Sequence, residues 1–225
     1  MEVLYEDNHI IAINKKAGDL VQGDKTGDTP LPERVKQYLK DKYNKPGEVF
    51  LGVTHRLDRP TTGVVLFART SKALSRLNEM FKKHAYEKVY WAVVEGKLHP
   101  EENKLQDYLV KDEKRNKSRV CAAGTKGAKE AKLSYKLIQH LDNYSCAEVL
   151  LETGRHHQIR CQLSAKGFSI KGDVKYGARR ANKDGSIHLH ARSIKFIHPV
   201  KKEEITIIAP PPRDAIWDKV IQKTN

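Results

Sequence analysis

Residues 54–70 read THRLDRPTTGVVLFART, and this stretch sets the expected fold of the chain. It contains a single carboxylate, Asp58, between two arginines, and the turn residues PTTG follow at 60–63. The apolar run VVLFA at 64–68 predicts a buried strand, because a short apolar run bounded by turn residues is typical of a core strand. We therefore expect a loop that holds one acidic side chain beside a rigid strand, an arrangement that suits a functional site.

The surroundings of Asp58 support two interpretations. An aspartate between Arg56 and Arg59 in a basic chain can form a purely structural ion pair. Alternatively, the positive neighbours keep a partly buried carboxylate ionised, which a nucleophile or a general base requires. Composition alone does not separate the two.

The composition favours a globular protein that binds a polyanion. The chain has 225 residues, of which 39% are hydrophobic, enough for a sizeable core. Lysine and arginine outnumber aspartate and glutamate by 42 to 28, and the formal net charge of +14 makes nucleic acid the expected partner. No apolar run approaches the roughly 18 residues of a membrane-spanning helix, and the acidic start MEVLYED has no signal-peptide core. We expect a soluble cytoplasmic protein that does not bind membranes.

The cysteine and histidine spacings predict neither a disulfide framework nor a metal site. The three cysteines are odd in number and widely spaced, so we expect reduced thiols. His156 and His157 are neighbours, and His188 and His190 alternate, but no cysteine or carboxylate completes a recognisable set of metal ligands.

Turn residues and hydrophobic periodicity predict strands and helices along the whole chain. A β-hairpin is expected at 2–5 and 10–14, a polar loop at 23–30, and helices at 30–44, 71–84, 156–166 and 214–222. Further strands are expected at 50–53, 64–68, 88–98, 132–139, 145–151, 187–196 and 204–209. The basic stretch 111–119 is interpreted either as a solvated loop or hairpin end, or as a nucleic-acid contact. This pattern indicates an α+β fold with a mixed, mainly antiparallel central sheet flanked by helices and loops.

Six segments form an ordered set of motifs. The string HRLDRPTTG at 55–63 has the form H-R-L-D-x-x-T-S-G, with Thr62 in place of the serine. LETGRHHQIR at 151–160 has the form L-x-T-G-R-x-H-Q-I-R. KKAG at 15–18 matches K-P-A-G except for Lys16, KVY at 88–90 matches K-x-Y, and GD at 172–173 and YG at 176–177 follow. In their order along the chain, these motifs resemble those of the RluA family of pseudouridine synthases, from the first predicted strand to near the C terminus.

The resemblance implies an RNA-modifying isomerase that converts specific uridines of structured rRNA or tRNA to pseudouridine. In this family the aspartate of the first long motif is catalytic, the tyrosine of K-x-Y packs on the target base, and the arginine of H-Q-I-R pairs with the aspartate. In this sequence these residues are Asp58, Tyr90 and Arg160. The other motif residues that we expect to bind substrate are His55, Arg56, Arg59, Thr61, Arg155, Gln158 and Ile159.

The resemblance also implies the pseudouridine synthase fold, with residues 1–225 as a single catalytic domain and no N-terminal RNA-binding domain. The reaction neither gains nor loses atoms, so we expect no cofactor and no metal, and we expect a monomer. A catalytically silent RNA-binding module of the same fold is the rival interpretation, although the intact Asp58, Tyr90 and Arg160 favour an enzyme. A glycoside hydrolase also acts at ribose C1′, but it usually needs two carboxylates, and no second acid here has a matching context.

Overall fold

The computed structural model describes residues 1–23 and 27–224, so residues 24–26 of the expected polar loop lie outside the described part. The fold is α+β, with a mostly antiparallel sheet and helices that follow the predicted order. The chain divides into two units. Unit 1 consists of Met1–Tyr86 and Arg192–Pro210, and unit 2 consists of Glu87–Ala191 and Pro211–Asn225.

The first part of unit 1 is an antiparallel sheet in which one strand, Thr62–Ala68, is completely buried. Its strands are β1 (Glu2–Glu6), β2 (Ile10–Lys15), β3 (Gly52–Val53) and β4 (Thr62–Ala68). β2 pairs with β1 and with β4, and the short β3 also pairs with β4. All residues of β4 are buried, which confirms the predicted core strand, and Lys15 at the end of β2 lies opposite Gly63.

The two helices of unit 1 confirm the predicted helices, but each ends earlier in the chain than expected, at Lys42 and at Lys82. α1 (Leu31–Lys42) buries Leu31, Val35 and Leu39, the apolar face that its helical spacing creates. α2 (Ser71–Lys82) begins after Thr70, whose side-chain oxygen accepts a hydrogen bond from the backbone N–H of Ala73 at 3.1 Å. This N-cap satisfies one of the free N–H groups of the first helical turn.

Unit 2 contains an antiparallel sheet in the order β5-β9-β8-β6-β7. Its strands are β5 (Tyr86–Glu95), β6 (Glu102–Asp112), β7 (Lys117–Cys121), β8 (Lys129–His140) and β9 (Tyr144–Leu151). β6 and β7 form a hairpin, so the basic stretch 111–119 is a hairpin end. β6 was not among the predicted strands because charged residues interrupt its apolar positions.

The helices of unit 2 are α3 (Gln158–Ala165), a short 3₁₀ helix (Val174–Tyr176) and α4 (Ala215–Thr224). α4 packs on β5 and β9 and buries apolar surface there, the main contribution to the stability of such an interface. The cluster at this interface consists of Trp91, Val93, Cys146, Trp217 and Val220.

Strand β10 (Leu189–Ile197) begins in unit 2 and ends in unit 1, where it pairs antiparallel with β11 (Glu204–Ile208). Both strands confirm the predictions. The connection between them is organised by the fully buried His198, whose Nδ1 accepts hydrogen bonds from the backbone N–H groups of Val200 and Lys201. Its Nε2 lies 3.0 Å from Oδ2 of Asp7, which ties this connection to the turn between β1 and β2.

Candidate active site

Asp58 lies in unit 1, on the loop that leads from β3 into β4. Two backbone hydrogen bonds shape this loop. The N–H of Thr61 donates to the carbonyl oxygen of Asp58, and the N–H of Gly18 donates to the carbonyl oxygen of Arg59, both at 3.0 Å. The Asp58 side chain is partly exposed. The loop thus presents one carboxylate on an ordered backbone beside a fully buried strand.

Lys15, the last residue of β2, supports this loop from inside the protein. It is 1% exposed, which is rare for a lysine without compensating partners. Its Nζ donates hydrogen bonds to the carbonyl oxygens of Thr61 at 2.7 Å, Arg59 at 3.1 Å and Lys16 at 3.0 Å. One buried ammonium therefore fixes the backbone on the C-terminal side of Asp58.

The electrostatics of Lys15 also involve Asp58. Burial lowers the pKa of Lys15 to about 8, while the negative charges of Asp19 and Asp58 act in the opposite direction. The motif pattern included Lys15 but gave it no role. The feature of the sequence that could have indicated a buried lysine is its position directly after the strand residues IIAIN at 10–14.

The two arginines beside Asp58 are exposed and contact the loop that precedes α1. Arg56 Nη1 donates to Oε1 of Gln22 at 2.5 Å, and Arg59 Nη2 donates to Oδ2 of Asp28 at 2.6 Å. Both side chains are accessible to solvent, and their role in substrate binding stays a prediction.

His55 and Thr61 are directed more towards the protein. The backbone N–H of Leu66 donates to Nε2 of His55 at 3.0 Å, and the His55 ring packs against Phe81 with the ring centres 5.2 Å apart. Thr61 is 2% exposed. These positions support the shape of the loop, and their expected contacts with substrate stay predictions.

Tyr90 lies in unit 2, on β5 opposite Val149 of β9, and it is 8% exposed. Lys88, two residues earlier, lies on the same face of this strand. Burial lowers the pKa of Lys88 to about 7, a shift of the kind found at functional sites. The role of Tyr90 in packing on the base stays a prediction.

Arg155 and Gln158 hold the turn that begins α3. The Thr153 hydroxyl donates to Gln158 Oε1 at 2.8 Å, and the backbone N–H of Arg155 donates to the same oxygen at 3.0 Å. Gln158 Nε2 donates to the carbonyl oxygen of Lys132 at 3.0 Å, and Arg155 Nε donates to that of Glu130 at 2.8 Å. The two residues that we expected to bind substrate therefore also fasten the turn to β8.

The helix predicted at 156–166 begins two residues later, at Gln158. The reason is His157, whose backbone is left-handed with φ 52° and whose Nδ1 lies 2.9 Å from the Tyr176 hydroxyl. Ile159, in the first turn of α3, is 4% exposed and packs in the interior. Its expected contact with substrate stays a prediction.

Arg160 forms a bidentate ion pair with Asp173. Nε lies 2.6 Å from Oδ2 and Nη2 lies 2.8 Å from Oδ1, and both residues are at most 5% exposed. The Arg160 guanidinium carbon lies 5.0 Å from the ring centre of Tyr176. The sequence assigned no role to Asp173, although GD at 172–173 belonged to the resemblance. The expected pair of Arg160 with Asp58 joins residues of different units and stays a prediction.

Comparison with known proteins identifies the family. Residues 9–165 match the family described as RNA pseudouridylate synthase. The chain belongs to this family. It is 33% identical to tRNA pseudouridine synthase C of Vibrio parahaemolyticus, with 93% of this chain and 89% of the relative covered. It is 30% identical to ribosomal large subunit pseudouridine synthase D of Zymomonas mobilis, with 95% of this chain and 70% of the relative covered.

A solved structure agrees with the fold of this pseudouridine synthase. Human RNA pseudouridylate synthase domain containing 4 matches with a TM-score of 0.79 at 22% sequence identity, and the match covers 99% of this chain and 92% of that chain. The predicted pseudouridine synthase fold and the assignment to an isomerase of the RluA type are therefore confirmed.

Metal-binding clusters and membrane-spanning helices are not found in the described part of the pseudouridine synthase. Within residues 1–23 and 27–224, no group of three or more His, Cys, Asp or Glu side chains is arranged to hold a metal ion. Over the same residues, no helix combines the length and apolarity needed to cross a bilayer. The three cysteines are free thiols.

Proposed function

We propose that this enzyme isomerises specific uridines of a structured tRNA or rRNA, with Asp58 as the catalytic carboxylate. The observation that supports this most is the Asp58 loop, in which a buried Lys15 fixes the backbone around a partly exposed carboxylate. A fixed side chain is what a group that must meet one ribose atom requires. The relatives named for tRNA and for the ribosomal large subunit support these two substrate classes.

The reaction breaks the bond between ribose C1′ and uracil N1 and forms a bond between C1′ and C5. The base turns while it is bound, C5 loses a proton and N1 gains one, so no atom is added or removed overall. Asp58 acts on the ribose by one of two routes: it attacks C1′, or it removes the C2′ proton so that a glycal forms. A primary kinetic isotope effect with C2′-deuterated uridine would assign the glycal route, and its absence would assign attack at C1′.

Recognition of the RNA completes the proposal. A uridine inside a helix must be flipped out before its ribose can be reached, and this requires compensating contacts. Tyr90 packs on the extruded base, and Arg160 pairs with Asp58, as the resemblance implies. The net charge of +14 supplies affinity for phosphates that does not depend on sequence.

Carbodiimide mapping of pseudouridines in total RNA from cells with and without the gene tests the proposed function. We expect the signal to disappear at one or a few uridines of tRNA or rRNA and to return with the wild-type gene but not with Asp58→Ala. An unchanged map in cells that express the protein would contradict the proposal and favour a silent RNA-binding module. Restoration by Asp58→Ala would contradict the role of Asp58.

A further inference from the structure

The ion pair between Arg160 and Asp173 constrains the arginine more than a single contact would. Two parallel hydrogen bonds, from Nε and Nη2, fix the plane of the guanidinium relative to the carboxylate. The Arg160 and Asp173 side chains are 5% and 1% exposed, so water does not compete strongly for either charge. A buried ion pair contributes little net stability compared with well-packed apolar residues. The bidentate ion pair is therefore better explained by a role in orienting the Arg160 guanidinium than by a role in stabilising the fold.

The backbone before Asp173 is shaped so that its carboxylate reaches α3. Gly172 has a φ of +89°, a left-handed conformation that favours glycine. A Cβ atom at this position would lie 2.6 Å from Nδ2 of Asn182 and 2.8 Å from the carbonyl oxygen of Ser186. Any other residue at position 172 would strain the backbone and displace the neighbouring atoms. The backbone that leads into Asp173 is therefore well defined.

Tyr176 constrains Arg160 from a second direction. Its ring centre lies 5.0 Å from the guanidinium carbon, within the range of a cation–π interaction. Its hydroxyl accepts a hydrogen bond from the backbone N–H of Ser118 at 2.8 Å and lies 2.9 Å from Nδ1 of His157. Burial raises the pKa of the Tyr176 hydroxyl, so this hydroxyl stays protonated. Two contacts therefore hold the Tyr176 ring through its hydroxyl.

We propose that Asp173 and Tyr176 are positioning residues, which hold the Arg160 guanidinium in the orientation that pseudouridine formation requires. The inference rests on the proposed function, which assigns Arg160 to the reaction. Asp173 binds the guanidinium through Nε and Nη2, and the Tyr176 ring packs on it. Rotation of Asp173 or loss of the Tyr176 ring would therefore turn the whole guanidinium, and a misdirected arginine would no longer serve the reaction.

The test compares Asp173→Asn, Tyr176→Leu, Arg160→Gln and the double variant Asp173→Asn/Arg160→Gln. The substrate is bulk tRNA and rRNA from cells that lack the gene, labelled with tritium at uracil C5, so that tritium release reports isomerisation. Single-turnover rate constants, RNA affinity and thermal stability are measured for each. Asp107→Asn is the matched control, because Asp107 accepts a hydrogen bond at 2.7 Å from Gln162, a different residue of the same helix.

We expect Asp173→Asn to bind RNA as the wild type does and to lose about 100-fold in rate constant, the effect of a displacement of about 1 Å at a reacting centre. Tyr176→Leu should lose rate in the same way, and Asp107→Asn should keep the wild-type rate. A residue that acts through Arg160 has nothing left to position once the guanidinium is gone. The double variant should therefore be no slower than Arg160→Gln.

Three outcomes would overturn the inference. A folded Asp173→Asn enzyme with the wild-type rate would do so, and so would a double variant that is slower than Arg160→Gln. The double variant removes both charges of the ion pair together. If Asp173→Asn does not fold, the comparison of the double variant with Arg160→Gln therefore still tests the inference. If Arg160→Gln is as active as the wild type, the role of Arg160 in the proposed function fails, and the inference fails with it.

Discussion

The Nζ atom of Lys15 lies 2.7 Å from the carbonyl oxygen of Thr61, a residue 46 positions further along the chain. The antiparallel register of β2 and β4, with Lys15 opposite Gly63, brings the two together. Because the same ammonium also binds the carbonyl oxygens of Lys16 and Arg59, the loop that carries Asp58 is attached to the end of β2. The orientation of the proposed catalytic carboxylate therefore depends on a lysine that need not touch the substrate.

Lys15→Met should lower both stability and activity. The variant removes three hydrogen bonds from the Lys15 ammonium to backbone carbonyl oxygens, each worth about 1 kcal/mol, while it relieves the burial of one charge, so we expect a net loss of about 1–3 kcal/mol. Urea denaturation and single-turnover kinetics measure the two effects. Lys16→Met is the control, because Lys16 is exposed and should tolerate the change. Wild-type stability and rate in Lys15→Met would contradict the role of Lys15.

Lys15 should also make the stability difference between wild type and Lys15→Met depend on pH. Its pKa is about 8 in the folded protein, below the ordinary value of 10.5, so between these values the unfolded chain binds more protons. The advantage of the wild type should therefore rise from pH 8 to pH 10, by at most about 1.4 kcal/mol per pH unit. Denaturation curves of both proteins at the two pH values measure this, and a constant or falling difference would contradict it.

His188 should make the protein sensitive to acid. Its Nδ1 accepts from Asn182 at 3.0 Å, its Nε2 lies 3.1 Å from Asp214, and its ring stacks on Trp217. Burial, assisted by the charge of Lys171, lowers its pKa from 6.5 to about 4. Between these values the unfolded chain binds more protons. The free energy of unfolding should therefore fall as the pH drops from 6.5 to 4, by up to about 3 kcal/mol.

The acid effect is measured by denaturation of wild type and His188→Gln at pH 7 and pH 5. We expect the wild type to lose about 2 kcal/mol more than the variant, because glutamine does not titrate. His84→Asn serves as the control, since it replaces an exposed histidine. Equal losses in wild type and His188→Gln would show that His188 is not the acid-sensitive group.

The hairpin end at 111–119 should bind RNA phosphates. Its exposed cations include Lys114, Arg115 and Arg119. We expect replacement of all three by glutamine to weaken RNA binding. The slope of log K against log salt should become shallower by about one for each phosphate that these side chains neutralise in the wild type. Filter binding from low to moderate salt measures the slope.

The control for the hairpin carries the same change in charge on α2 and the residue after it, at the exposed Lys72, Lys82 and Lys83. We expect its salt slope to stay closer to that of the wild type. A hairpin variant with the wild-type slope would leave the stretch 111–119 as a solvated hairpin end, which was the other interpretation of its sequence.

Local sequence signals predicted much of the fold. The loop of Asp58 and the strand after it follow from turn residues next to an apolar run, and the helices follow from the spacing of their apolar residues. Strand β6 has only scattered buried positions among charged residues, so periodicity did not detect it. The left-handed backbone of His157, which delays the start of α3, depends on the contact with Tyr176 and is not encoded locally.

The contacts that support the site were harder to predict than its motifs. The bonds from Lys15 to the loop depend on the register of two strands, and the pair of Arg160 with Asp173 depends on a turn that favours glycine at residue 172. Such contacts join residues that are far apart in the sequence or lie in irregular turns, where hydrophobic periodicity gives no indication of them. The motifs indicated which residues were involved, and the structure was needed to show what each one contacts.

Single-turnover tritium release by Asp58→Ala shows whether Asp58 carries out the chemistry. Asp28→Asn is the control, since it removes a carboxylate that pairs with Arg59 at the same loop. We predict that Asp58→Ala folds, binds RNA and releases no tritium, while Asp28→Asn keeps a rate close to that of the wild type. Tritium release by a correctly folded Asp58→Ala enzyme at the wild-type rate would show that Asp58 is not the catalytic carboxylate.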